Sequence, residues 1–407
     1  MSKIRVRTFY QADPVGTIPG GVDTFIRGLI KFAPDDFEFS VVGMSTDPVA
    51  RPVGRWTECR LGDKTFPFFA AISEMNPGGR ATIPWTLQLT VAIYRYFALV
   101  SQDFDVFEFH RPEPMIPFRH DSRAKNAFFH QSMMILYNES TDFKWRKFPG
   151  VYFWIEDQLL PRLDSGYCVS EEGLQELRRR FAAMADKFKF QPTWVDTDVF
   201  APEYDAAARQ AKREALRKQC GFAAEAKVVV TVGRIDSQKN PLLLLDSFAL
   251  LAAQFPELAL AYIGDGVLKS EVENRVRELG LSGRVHFFGL LPAAEIAQIL
   301  QAVDVFALSS AYEGMPMALL EGLGAGLPAV TTDVGEVRKV VNPDSGEIVI
   351  EHTPEAFSRA LASVLRSDRP ISAQACVAAI ADYVPAKVLR PVYDNYRLLG
   401  EKSRALV

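Results

Sequence analysis

Glu313 and Glu321 frame the run AYEGMPMALLEGLGAGLP, residues 311–328. The stretch from Pro316 is apolar and is closed by Gly326 and Pro328, which is the punctuation of a short buried helix with Pro316 in its first turn. A helix that begins just after a strand turns unpaired N–H groups and the positive end of its dipole toward any anion. Those groups would belong to Gly314, Met315 and Met317. Glu313 falls in the loop beside them. Glu321 falls one to two turns inside, within reach of hydroxyl groups. Two acceptor carboxylates around a phosphate cradle suit a ligand that carries both a diphosphate and hydroxyls, a sugar nucleotide. The structural alternative makes Glu313 a helix-start charge contributing under about 1 kcal/mol and Glu321 a solvated side chain.

A second run, VVVTVGRIDSQKN, ends a strand at Gly233 and then supplies Arg234 and Lys239. Two cations in one strand-to-helix loop can neutralise a leaving diphosphate. Either alone reads equally as a surface ion pair, but two beside an anion-binding helix favour the phosphate. In YIGDGVLKSEVE, Gly264 and Gly266 permit close backbone approach to a ligand, although GxG without a third glycine is a weak dinucleotide signal.

These loops need a scaffold. Apolar runs recur along the chain: IRVRTFY, FEFSVVG, DVFEF, NAFFH, SGYCVS, KVVVTVG, LALAYIG, RVHFFG, DVFALS and PAVTT. Helical stretches separate most of them, which is the order of parallel strands covered on both faces. The runs are too many for one sheet, and the pattern restarts at KVVVTVG after a Pro- and Asp-rich break near residues 191–204. The expectation is α/β, with two Rossmann-like doubly wound domains facing across a cleft. They are placed at 1–195 (acceptor side) and 196–385 (nucleotide-sugar side), with a terminal helix over 386–407 returning to the first domain. Ligands then bind at the C-terminal ends of the strands.

Composition narrows the class. The chain has 407 residues, 48% hydrophobic and 24% charged, with a net charge of −4, which speaks against a general nucleic-acid binder. Cys59, Cys168, Cys220 and Cys376 form no CxxC pair, so they offer no metal signature and suit a reducing cytoplasm. The opening MSKIRVRTFY reads as a strand, not a signal peptide. The apolar run TLQLTVAIYRYFALV is interrupted by Arg95 and too short to span a bilayer.

Taken together, these motifs resemble the retaining glycosyltransferase family 4, which has the GT-B fold. EGMPMALLE is similar to its E-x7-E motif, VGRIDSQKN to its phosphate-binding loop and GTIPGGVDTFIRGL to its N-terminal glycine-rich loop. VHFFGLLP and AGLPAVTTDVGEVRKVV match in order and spacing. The resemblance is strong over about 228–350 and looser before it. It implies that Arg234 and Lys239 hold the donor diphosphate and that Glu313 contacts the transferred sugar. The backbone at Gly314 and Met315 would meet the phosphates, Glu321 the ribose, and Gly20 and Gly21 the diphosphate from the first domain. His130, ending NAFFH, resembles the family's active-site histidine. His110, in FEFHRPEP, is the rival, since it also ends a strand. The linker PTWVDTDVF departs from the family's usual PNGVD, which leaves the role of Asp196 open.

The resemblance further implies transfer with retention by same-face attack, the leaving phosphate taking the acceptor proton. No carboxylate nucleophile and no DxD metal site stand out, so no cofactor and no essential metal are expected. The partners implied are a nucleotide-sugar donor and a saccharide or lipid-linked acceptor, with no nucleic acid. The competing readings are a GT-B-like sugar-nucleotide epimerase, which turns over donor without acceptor, and a non-catalytic sugar-nucleotide-binding protein. Finally, TDFKWRKFPGVYFW, residues 141–154, interleaves Lys144, Arg146 and Lys147 with aromatic rings. That pattern suits an anionic membrane surface, with contact through 143–154 on the inner membrane face. FPFFAAI, residues 66–72, would add apolar contact if exposed. Packing of both segments in the core is the alternative.

Overall fold

The structure, a computed structural model, describes residues 2–16, 20–74, 83–130, 144–366 and 371–405, with only the backbone at 144 and 146. The chain divides into two compact units, Met1–Pro192 with Pro385–Val407, and Thr193–Val384. The first boundary lies ahead of residue 196 for a packing reason. Val195 is buried in the core of the second unit, and its N–H donates to Tyr383 O at 3.0 Å. The hydroxyl of Thr193 donates to Met315 O at 3.5 Å.

The first unit holds β1 (Ile4–Phe9), β2 (Phe37–Ser45), β3 (Trp56–Leu61), β4 (Lys64–Ser73), β5 (Val106–Phe109), β6 (Ala124–Phe129), β7 (Ser165–Cys168) and β8 (Phe188–Phe190). They form an eight-stranded sheet in the order β3-β4-β2-β1-β5-β6-β7-β8. All its pairs are parallel except β3–β4, a hairpin closed at Gly62 and Asp63. β4 corrects the membrane reading of residues 66–72. Phe66, Phe68, Phe69, Ala70 and Ala71 are buried in this strand. Pro67 is tolerated because pairing with β2 begins only at Val41 and Phe68. Phe9, Phe104, Phe107, Phe109 and Phe118 interlock on one face of the sheet. The Arg390–Ala405 helix belongs to this unit and buries Val392, Tyr393, Tyr396 and Leu399 against β1, β5 and β6. It is seated by Ser403 Oγ, which accepts the Ala124 N–H at 2.8 Å.

The second unit is built on β9 (Val228–Val232), β10 (Ala259–Ile263), β11 (Val285–Gly289), β12 (Val305–Leu308), β13 (Ala329–Thr332) and β14 (Gly346–Val349). Their order is β11-β10-β9-β12-β13-β14, parallel throughout. Strands so apolar form because helices cover both faces: β10 and β12 are buried along their whole length. In each sheet the chain reverses its direction of winding beside the first strand. β1 has β2 on one side and β5 on the other; β9 has β10 and β12. These are the switch points where loops diverge and leave a crevice at the strand ends.

Candidate active site

The loops after β9 and β12 meet at the switch point of the second sheet. Lys239 Nζ donates to Glu313 Oε1 at 2.6 Å, and Ser310 Oγ donates to the same oxygen at 2.7 Å. Gln238 Nε2 donates to Tyr312 O at 3.3 Å, while Gln238 O accepts the Ala311 N–H at 2.8 Å. These contacts stitch the two loops together. Arg234 behaves differently: its side chain is 66% exposed, held over the loop by Asp236 at 2.9 Å and Gln238 at 2.7 Å. An exposed guanidinium with anchored partners can swing onto an anion at little cost.

The helix that follows is Met317–Gly324, so Pro316 caps it from outside rather than forming its first turn. Among the described residues, the backbone N–H groups of Gly314, Met315 and Met317 donate to no acceptor. Gly314 is held from the other side. Its carbonyl accepts the Glu336 N–H at 3.0 Å, and a Cβ at Gly335 would collide with that same oxygen. Glu321, one turn inside the helix, is half-buried. Burial pushes its carboxyl up to about 7, and the Lys239 ammonium pulls the other way.

Gly233 follows β9 directly, and Gly264 packs on it. A Cβ at Gly264 would collide with the Gly233 carbonyl, and its φ of 140° is strained for any other residue. Gly266 likewise abuts Ile235. The close approach read at these glycines is made by the neighbouring loop, which fixes the shape of the crevice floor.

In the first unit, Gly20 caps the helix Gly21–Lys31, and both glycines are exposed. The Gly20 N–H donates to Asp23 Oδ2 at 3.2 Å, and burial pushes the Asp23 carboxyl up to about 6. Residues 17–19 of this glycine-rich loop lie outside the described residues. His110 and His130, the two candidate histidines, are in direct contact. Their rings lie edge to edge and within 17° of coplanar, centroids 5.1 Å apart, with His110 Nδ1 2.8 Å from His130 Nε2. His110 is buried and His130 partly exposed, so His130 is the ring that can meet a ligand.

Sequence reading passed over Glu108, Arg111 and Glu113. Arg111 reaches Glu113 at 3.2 Å, and Glu113 also accepts from Trp145 Nε1 at 2.7 Å. One signal was available: three charged residues, Glu108, Arg111 and Glu113, fall within VFEFHRPEP at a strand's C-terminal end. Asp196 and Asp198 do have DxD spacing, but Asp196 Oδ1 accepts the Asp198 N–H at 3.2 Å, the geometry of a turn. Among the described residues, no three His, Cys, Asp or Glu side chains converge as metal ligands.

Known proteins resemble this chain at two levels, sequence and fold. Residues 212–380 match the family described as "Glycosyl transferases group 1". The chain is 29% identical over 247 residues to the D-inositol 3-phosphate glycosyltransferase of Corynebacterium urealyticum, covering 59% of this chain and 54% of that one. It is 33% identical over 159 residues to the mannosylfructose-phosphate synthase of Agrobacterium fabrum, covering 37% and 34%. Over these alignments the chain spans about half, or less, of the relatives' length. Sucrose-phosphate synthase from Thermosynechococcus elongatus superposes with a TM-score of 0.76 at 18% identity, covering 98% of this chain and 99% of that one. Anabaena HepE, solved with UDP and glucose, superposes at 0.73 and 15% identity, covering 97% and 99%. The fold is GT-B.

Proposed function

We propose that this chain, whose residues 212–380 carry the group 1 glycosyltransferase segment, is a retaining glycosyltransferase. It moves a sugar from a nucleoside-diphosphate sugar to a saccharide or lipid-linked acceptor, in cell-surface polysaccharide or glycolipid synthesis. The observation that carries the reading is the Lys239–Glu313 pair at 2.6 Å, set beside the uncommitted N–H groups of Gly314, Met315 and Met317. One cation, one carboxylate and a bundle of donors match the parts of a sugar diphosphate.

The diphosphate draws Lys239 and Arg234 onto its oxygens and meets the helix N-terminus. Glu313 then accepts hydrogen bonds from the sugar's hydroxyls, still oriented by Ser310. Glu321 accepts from the ribose. The acceptor oxygen attacks the anomeric carbon on the face from which the phosphate departs. The carbon–oxygen bond to phosphate breaks, and the acceptor's proton passes to the phosphate oxygen. The negative charge gathering on the diphosphate is stabilised by groups already in place. No metal is needed in this scheme, because side chains and backbone donors carry the charge.

Support for the donor class comes from HepE, solved with UDP and glucose and with UDP-glucose. Support for an envelope acceptor comes from the lipopolysaccharide galactosyltransferase WaaB, which superposes at a TM-score of 0.61. The names of the inositol-phosphate and mannosylfructose-phosphate relatives favour a small phosphorylated acceptor as the second reading. A thermal-shift screen with UDP, GDP and ADP tests the donor site, since a ligand that binds only the folded chain raises its Tm. One nucleotide should raise it and the other two should do so less. No rise with any of them overturns the proposal.

A further inference from the structure

Glu108 on β5 is fully buried, and its carboxylate is met from three elements. Thr8 Oγ1 on β1 donates to Oε1 at 2.8 Å, and the Tyr396 hydroxyl of the Arg390–Ala405 helix donates to Oε2. His110 Nε2 stands 3.0 Å from Oε1. A carboxylate only accepts, so His110 carries its proton on Nε2. In a neutral ring His110 Nδ1 is then bare. It lies 2.8 Å from His130 Nε2, and that contact requires one proton, which His130 must supply. The proton count along the chain leaves His130 Nδ1 bare.

The rings are not free to reorient. Phe128 stacks on His110 at 5.3 Å, and Phe25 meets the His130 ring edge-on at 4.9 Å. Charge on His130 is disfavoured by burial first, then by His110 and Arg111, which hold its pKa well below the ordinary range. The neutral ring is the one to account for.

We propose that Glu108 and His110 are positioning residues that fix the Nε2–H tautomer of His130, so that His130 offers Nδ1 as a hydrogen-bond acceptor to a sugar hydroxyl. The assignment of a sugar hydroxyl rests on the function proposed above; the placement of the protons does not. A buried carboxylate acting through a histidine sets a tautomer at a distance, as the third member of a hydrolase triad does.

Nitrogen-15 NMR of histidine-labelled protein near neutral pH reads the protons directly, with the His130 signals identified by their loss in His130→Gln. The expected spectrum has a protonated Nε2 and a bare Nδ1. A proton on Nδ1, in a neutral or a charged ring, overturns the proposal. His110→Phe keeps the ring stack and removes the nitrogen. It should lower transfer on the order of 10- to 100-fold, the scale of loss when the partner that orients a metal-bound histidine is removed. Affinity for the free nucleoside diphosphate should stay within about twofold. Unchanged transfer overturns the positioning role. The wild-type spectrum needs neither turnover nor the His110→Phe variant, so a chain without transfer activity would refute the functional reading and still report where the protons sit.

Discussion

On the proposed reading, Lys239 gains a second partner when a diphosphate binds. In the free chain its ammonium answers Glu313 at 2.6 Å; with donor bound it must answer a phosphate as well. Lys239→Ala removes both roles, and transfer should fall by about 2–4 kcal/mol of transition-state stabilisation, or 10²- to 10³-fold in turnover. Turnover within about threefold of wild type at saturating donor contradicts this. Glu321 gives a pH signature. Its carboxyl, ordinarily at 4.5, is raised to about 7 in the fold. The folded chain therefore holds a proton the unfolded chain has lost. The stability from this group is full below about 4.5 and is lost as pH rises through about 7. Glu321→Gln should gain on the order of 1–2 kcal/mol at about pH 8 and nothing in acid, while nucleotide affinity falls. Urea unfolding of wild type and variant at the two pH values, with calorimetry of the free nucleotide, measures both; a stability difference from wild type that is the same at both values contradicts the shift. Glu313, Glu321, Arg234 and Lys239 were legible in the sequence because each sits at a fixed distance from a strand end and a proline or glycine. Glu108 was not, because its meaning depends on Thr8 and Tyr396, which are remote in sequence and meet it only through the sheet and the terminal helix.

The elements carry a second test. The crevice floor depends on backbone packed against backbone at Gly264 and Gly233. Gly264→Ala adds a methyl where φ is 140° and the space is already filled, so it should cost about 2–4 kcal/mol in urea unfolding and loosen nucleotide binding with it. A variant of wild-type stability would show that the loops are not braced in this way. Ten apolar runs in the sequence became strands, because parallel strands buried on both faces announce themselves by composition. The edge was harder to read. β3, β8 and β14 lie at sheet edges and lack the continuous apolar run of the central strands, and β4, next to an edge, was masked by Pro67 and by a phenylalanine-rich stretch that equally suits a membrane surface. The helix at 317 was legible, but its first residue was displaced by one, since proline serves as well outside a helix as in its first turn.

At the scale of the whole molecule, the acceptor side remains a proposal with its own test. No described helix is long and apolar enough to cross a membrane. Phe148, Val151 and Trp154 on and before the Pro149–Leu159 helix are 63%, 49% and 62% exposed, an apolar face with Lys147 beside it. Phe143, named with this stretch, lies outside the described residues. The wild type should float with anionic vesicles at low salt and the Lys144/Arg146/Lys147→Glu variant should not, each cation contributing about 1 kcal/mol near the surface. Wild type left in the soluble fraction argues for the small phosphorylated acceptor. The central claim, transfer with retention, is tested most directly by proton NMR of the sugar released when the chain turns over an α-linked sugar nucleotide, UDP-glucose, GDP-mannose or ADP-glucose, with water as the slow acceptor. The account predicts that the α anomer of the free sugar builds up first and mutarotates afterwards. The β anomer first, a donor epimerised without release, or no turnover of any donor would contradict it.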